Sequence, residues 1–364
     1  METYPIPMVP GPTVVPPEVL AVYRKNYGSA DLEPEFLTLY RQTEQKLQQI
    51  LGTKNRVVIQ TGEGMLSLWS ALKSTLHPGD RVLAVATGVF GYGIAEMAAS
   101  IGAEVRTIGL PYNETIADLA DVERAIVDFQ PKMITAVHCE TPSGTLNPLA
   151  ALGALKHKYD VPLFYADVVA SAGGAPVLAD DWHIDLCLGG SQKCLSVPPS
   201  MSFLAVSDRA WDIIHAVDYV GYDALKPFFT APAEHYFPYT PNWHGVAALN
   251  AGADLLLSEG LAASFARHES VAEMCRRGLT ELGIALYPAP DAVPSPTVTA
   301  ALVPEGVAWA DFDARLRAHG LVVGGSYGPL ADKVFRLGHM GTQADETLVR
   351  RALDVLQTVL HNLR

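Results

Sequence analysis

The sequence predicts an α/β protein: a large domain with a mostly parallel sheet covered by helices, followed by a smaller C-terminal α+β domain. Three observations predict it. From Glu35 to Val206, short apolar runs alternate with longer helical segments, the pattern of strand-helix-strand units. Most of those runs are apolar along their whole length, as strands buried on both faces are. After about Gly245 the texture changes to long helices followed by short isolated strands. The expected organisation is an arm over 1–17, a large domain over 18–245 and a small domain over 246–364.

The first 17 residues are rich in proline, which fixes φ and removes backbone donors, so an extended arm is expected, of the kind that lies across a neighbouring subunit. Glu35 to Leu51 reads as an amphipathic helix, Arg56 to Gln60 as a strand and Met65 to Leu76 as a helix. The alternation continues with strand Arg81 to Ala86, helix Tyr92 to Ile101, strand Glu104 to Ile108, helix Leu119 to Phe129 and strand Met133 to His138. Further apolar runs are Val161 to Tyr165, Ile184 to Leu188 and Phe203 to Val206. In the smaller domain, helices are expected from Gly245 to Leu257, Leu261 to Leu282, Trp309 to His319 and Ala344 to Leu363. Its strands are Val298 to Leu302, Leu321 to Val323 and Val334 to Leu337.

A chain of 364 residues, 49% hydrophobic, has material for a large core. Its formal net charge of -13 would be repelled by nucleic acid and by anionic membranes, so neither is an expected partner and small molecules are. No stretch approaches the roughly 18 apolar residues of a membrane span. Cys139, Cys187, Cys194 and Cys275 have no CxxC spacing, which gives neither a zinc site nor a disulfide framework, and a cytoplasmic location is expected. The histidines offer no metal spacing; His138 and His339 read as structural.

Ligands of parallel α/β sheets bind outside the carboxyl ends of the strands. The loops there read Thr61-Gly62-Glu63-Gly64, Thr87-Gly88-Val89-Phe90-Gly91, Glu140-Thr141-Pro142-Ser143-Gly144-Thr145, Asp167-Val168-Val169 and Gly189-Gly190-Ser191-Gln192-Lys193. Each has an ordinary explanation: glycines serve tight turns, and Lys193 suits a surface. Asp167 ends a buried strand, where a carboxylate needs a partner, and a cationic one is expected.

The order of these loops resembles the class V, fold-type-I aminotransferases of the alanine-glyoxylate and serine-pyruvate type. The resemblance runs from Pro10-Gly11-Pro12 to the RLGHMG stretch at Arg336 to Gly341, and is most specific in YADVVASAGG, GGSQKCLSVPPS and RLGHMG. It implies pyridoxal 5′-phosphate as cofactor, an amino donor and an oxo acid as substrates, and a homodimer or homotetramer. It makes Lys193 the Schiff-base lysine and proton carrier, a role suited to a desolvated amine. Asp167 would pair with the pyridinium nitrogen. Phe90 and Val169 would cover the two ring faces, Thr141 or Ser143 would sit near the ring 3-oxygen, and Gln192 beside the far end of the ring. Gly62, Glu63 and Gly64 would form the phosphate loop, and Tyr239 with Thr240 would reach a neighbour's cofactor. Arg336 would clamp the substrate carboxylate as a planar, permanently charged fork, with Tyr327 beside it; its ordinary alternative is an ion pair.

Two residues depart from that pattern. A carboxylate at Glu63, about 5 Å from a phosphate of charge near -2, would cost on the order of 5 kcal/mol at an effective dielectric near 20, unless turned away or protonated. Phe237 stands where the family offers a tyrosine hydroxyl. Both features, with GVFGYG, LPYNETI, ETPSGTLNP and SPTVTA, resemble the pyridoxamine-pyruvate transaminase branch, where unphosphorylated pyridoxal or pyridoxamine is bound as substrate. Against that branch, Ser326-Tyr327-Gly328 replaces its second arginine, and Gln192 is shared with the alanine-glyoxylate type. The same fold also serves cysteine desulfurases, which need a mobile cysteine in the small domain; Cys275, the candidate by position, falls in a helical pattern.

Overall fold

The structure, a computed structural model, describes residues 4–363. Seven strands form the main sheet in the order Arg56–Thr61, Met201–Val206, Leu186–Gly190, Leu163–Asp167, Met133–Val137, Arg81–Ala86 and Glu104–Gly109. Every pairing is parallel except the two made by Met201–Val206. The interior strands are buried along their whole length, apart from the first residue of Arg81–Ala86, as their apolar runs require. Glu104–Gly109 is the exception: it lies at the sheet edge, is partly exposed, and spaces Val105 and Ile108 among polar residues.

Helices Pro34–Leu51, Gly64–Thr75, Val89–Ser100, Ala120–Phe129 and Leu149–Lys158 pack on this sheet. Pro34 opens the first of them at a position where its missing N–H is not needed, and Gly52, at φ 59°, closes it. Trp243–Glu259 and Leu261–Glu281 then lead away from the sheet.

A second sheet has the order Ile6–Met8, Leu321–Gly325, Val334–Gly338 and Val298–Leu302. It packs with Leu261–Glu281, Trp309–Ala318 and Glu346–His361 around a separate core that includes Phe312, Phe335 and Leu356. The proline-rich arm therefore differs from its expected course. Ile6–Met8 pairs in parallel with Leu321–Val323 of its own chain, placing Ile6 and Met8 in that second core. The strand lies at the sheet edge, where the missing N–H of Pro7 is tolerated. Among the described residues no single helix is long and apolar enough to cross a membrane.

Candidate active site

The carboxyl ends of five main-sheet strands meet at one cavity. It is lined by Glu63, Gly64, Phe90, Thr141, Asp167, Val169, Gln192 and Lys193, together with Met65, Leu68, Cys139, Ala170 and Leu188. Eight of the residues expected at the site from sequence are thus brought together, although they come from five separate loops.

Lys193 follows the strand Leu186–Gly190 by three residues, and its Nζ donates to the Pro10 carbonyl at 2.5 Å. Burial lowers its pKa from 10.5 to about 8, helped by the nearby Arg336 charge and opposed by Cys139, Cys194 and Asp167. Near neutral pH an appreciable fraction of this amine is therefore unprotonated.

Asp167, at the end of Leu163–Asp167, is 8% exposed, and its Oδ1 accepts the Val169 N–H at 2.8 Å. The expected ion pair is absent: among the described residues no lysine, arginine or histidine lies within ion-pair distance. The strand end opens onto the cavity instead of onto a neighbouring cationic side chain. Burial raises the carboxyl to about 6, with the charge of Glu63 adding and the Val169 N–H and Lys193 opposing.

Glu63 caps the helix Gly64–Thr75. One carboxylate oxygen accepts the Met65 N–H at 3.1 Å, and the other accepts Gln192 Nε2 at 3.2 Å. The positive end of that helix, where an anion would be favoured, is already served by the protein's own carboxylate. Gln192 Oε1 is buried and has no hydrogen-bond partner.

Phe90 opens the helix Val89–Ser100, where its N–H and that of Gly91 donate to the buried Glu140 carboxylate at 3.1 and 2.7 Å. The task of Glu140 is one the sequence does not reveal. Its signal was available only as a glutamate in an apolar strand end, with Gly88 and Gly91 distant in sequence.

The other expected residues stand off the cavity. Gly62 is half-buried beside Leu66, and Ser143 is turned to Thr145 Oγ1 at 2.8 Å, leaving Thr141 on the lining. Tyr239 accepts the Thr61 N–H at 3.1 Å, while Thr240 is exposed. Arg336 is 3% exposed, donates to the Gly325 carbonyl through Nε at 2.7 Å, and lies over the Tyr327 ring at 4.7 Å. No carboxylate pairs with it among the described residues, which removes the ion-pair explanation. His339 and His138 are buried and hydrogen-bonded to Thr299 and Ser171. The described residues include no cluster of His, Cys, Asp or Glu able to hold a metal ion.

A family model described as aminotransferase class-V matches residues 9–331 of the chain, a span that includes Lys193 and Asp167. The chain belongs to the class-V aminotransferases. It is a transaminase, of a family that works through pyridoxal phosphate chemistry. This aminotransferase is 33% identical to the pyridoxamine-pyruvate transaminase of Mesorhizobium japonicum, over 96% of this chain and 90% of that one. It is also 33% identical to the alanine-glyoxylate aminotransferase of Oryctolagus cuniculus, over 97% of this chain and 92% of the other. The crystal structure of pyridoxamine-pyruvate aminotransferase from Mesorhizobium loti superposes with a TM-score of 0.94 at 32% identity, covering 100% of this chain and 93% of that one. The fold-type-I architecture expected from sequence is that of these aminotransferase structures.

Proposed function

We propose that this aminotransferase moves the amino group of unphosphorylated pyridoxamine to pyruvate, giving pyridoxal and L-alanine. The observation that carries the reading is Glu63, whose carboxylate caps the helix at which a cofactor phosphate would be expected. A phosphate brought there would meet a like charge at a helix start where the Met65 N–H already donates to Glu63. A 5′-hydroxymethyl group, in contrast, can donate to the partnerless Gln192 Oε1 or to Glu63.

The cavity residues fit a B6 ring. Phe90 and Val169 supply apolar walls, and a buried carboxyl without a cation, Asp167, suits a protonated ring nitrogen. The bound ring supplies an electron sink conjugated to the amino nitrogen. Asp167 keeps the ring nitrogen protonated. Lys193 Nζ, with its lowered pKa, takes the proton from the substrate carbon and returns it on the other side of the transfer. Arg336, buried and without a carboxylate of its own, binds the carboxylate of the oxo acid, with the Tyr327 ring holding the guanidinium plane.

The conventional PLP reading, alanine or serine with glyoxylate or pyruvate, draws on one specific feature. Ser326-Tyr327-Gly328 stands where the resemblance puts the pyridoxamine branch's second arginine, and Arg336 lies over the Tyr327 ring instead. A desulfurase reading is opposed by Cys275, which is fully buried within the helix Leu261–Glu281.

Two chains are proposed to complete the sites in pairs, in the cytoplasm. The segment that carries Tyr239 and exposed Thr240 also exposes Val220, Tyr222 and Tyr236, which a second copy would cover.

Titration of the purified protein with pyridoxal and with pyridoxal phosphate, followed by visible absorbance, tests the substrate assignment. Pyridoxal is expected to bind more tightly, pyridoxamine with pyruvate to turn over, and Glu63→Gln to shift the preference toward the phosphate ester. Tighter phosphate-ester binding, with turnover of alanine and glyoxylate alone, would overturn it.

A further inference from the structure

Glu140 is an unusual carboxylate. It is 0% exposed, sits on the short strand Cys139–Glu140, and has no cationic partner within ion-pair distance among the described residues. Each of its oxygens instead accepts one backbone N–H from the first turn of Val89–Ser100: Oε2 from Phe90 at 3.1 Å and Oε1 from Gly91 at 2.7 Å.

The surroundings are cut to admit it. A Cβ at Gly88 would lie 2.6 Å from Glu140 Cδ, and one at Gly91 would lie 3.3 Å from Oε1 and 2.9 Å from Ala86 Cα. Gly88 has an extended backbone, φ -173°, so its lack of a side chain answers a spatial need and not a conformational one. Burying an uncompensated carboxylate is costly: burial lifts its pKa to about 7, the two N–H groups pull it down, and the charge of Asp167 adds to the rise. A helix start can be capped by a neutral side chain at far less cost. What this carboxylate gains is a two-point hold on the peptide units that aim Phe90.

We infer that Glu140 is a positioning residue of the site: through the N–H groups of Phe90 and Gly91 it holds Phe90 in the cavity lining, and so sets the affinity for the B6 ring. The inference rests on the proposal that Phe90 covers one ring face. Glu140 is not among the residues that line the cavity. A glutamine there keeps the shape but turns an NH2 donor toward one of the two N–H groups, so one hold becomes a repulsion.

The test uses 4-deoxypyridoxine, which has the ring but no aldehyde or amine and therefore reports ring binding without chemistry at Lys193. Its dissociation constant is measured by calorimetry for the full-length protein, for Glu140→Gln, for Phe90→Ala and for the double variant, with the thermal midpoint of each. Loss of one well-placed aromatic face corresponds to about tenfold in affinity. Glu140→Gln is expected to weaken binding by about that factor, Phe90→Ala similarly, and the double variant no further than Phe90→Ala alone. Gly88→Ala reaches the same contact by displacing the carboxylate, and is read in its place if Glu140→Gln does not fold.

Unchanged affinity in Glu140→Gln, or a loss undiminished when Phe90 is already alanine, overturns the inference while leaving the B6 reading intact. No binding of 4-deoxypyridoxine to the unmodified protein overturns both.

Discussion

Lys193 Nζ donates to the carbonyl of Pro10 at 2.5 Å, joining residues 183 positions apart. Between that carbonyl and the rest of the arm stands Gly11, at φ 87°, where a Cβ would lie 2.7 Å from Lys193 Cδ. Gly11→Ala is expected to cost about 1–2 kcal/mol from the left-handed backbone alone and to push the lysine aside. A lowered thermal midpoint, with slower covalent capture of pyridoxal as read by mass after borohydride reduction, is the expected result. An unaltered capture rate would show that the arm does not place the amine.

The same capture measures the ionisation of Lys193. Its rate should rise with pH through about 8, because the amine reacts only when unprotonated. Arg336 is the charge that assists burial in lowering this pKa. Arg336→Met is therefore expected to move the midpoint upward. A midpoint that stays where it was would mean that burial alone sets it.

Asp167 should make the unliganded protein less stable at alkaline than at acid pH. Its folded pKa, about 6, lies above the ordinary 3.8, so the cost of the buried charge is fully present above 6 and gone below 3.8. A two-unit shift corresponds to roughly 3 kcal/mol as an upper figure. Asp167→Asn, which retains an oxygen for the Val169 N–H, is expected to melt higher than the unmodified protein at pH 8 and at the same temperature near pH 4. Equal midpoints at pH 8 would contradict the assignment.

Arg336→Lys keeps a positive charge but loses the planar fork that stacks on Tyr327 and can grip a carboxylate at two points. The expected loss in kcat/KM for the oxo acid is about tenfold to hundredfold, carried mostly by KM. Pyridoxal binding to Lys193 in the absence of oxo acid should change little in extent. A loss confined to kcat would point to a role other than carboxylate binding.

Much of the main sheet was legible because its strands are buried on both faces, which forces unbroken apolar runs such as Met133–Val137 and Leu186–Gly190. Helix starts were less legible where the cap comes from elsewhere in the chain. Val89–Ser100 begins three residues before its expected start at Tyr92, because Glu140, some fifty residues away, accepts the first N–H groups. Among the longer helices, Leu149–Lys158 and Asp208–Val217 were not read from the sequence. The first has apolar residues spread around it, so it carries almost no periodic signal.

The residues gathered at the cavity followed from the rule that loops after parallel strands converge. What the sequence could not convey was direction. Asp167 was read as needing a cation, which it finds in no neighbouring side chain of the described structure, and the extended arm was read as one that lies across a neighbouring subunit, whereas its residues Ile6–Met8 pair with the chain's own second sheet.

That return has a bearing on synthesis. Ile6–Met8 is made about 300 residues before Leu321–Val323, the strand it pairs with. At roughly 5–20 residues per second, the segment waits on the order of 15–60 s for its partner. Thr13 already ties the same arm to the Gln192 and Lys193 carbonyls. A nascent chain can therefore complete its main sheet and seat the arm beside Lys193 while Ile6–Met8 still lacks the strand it pairs with.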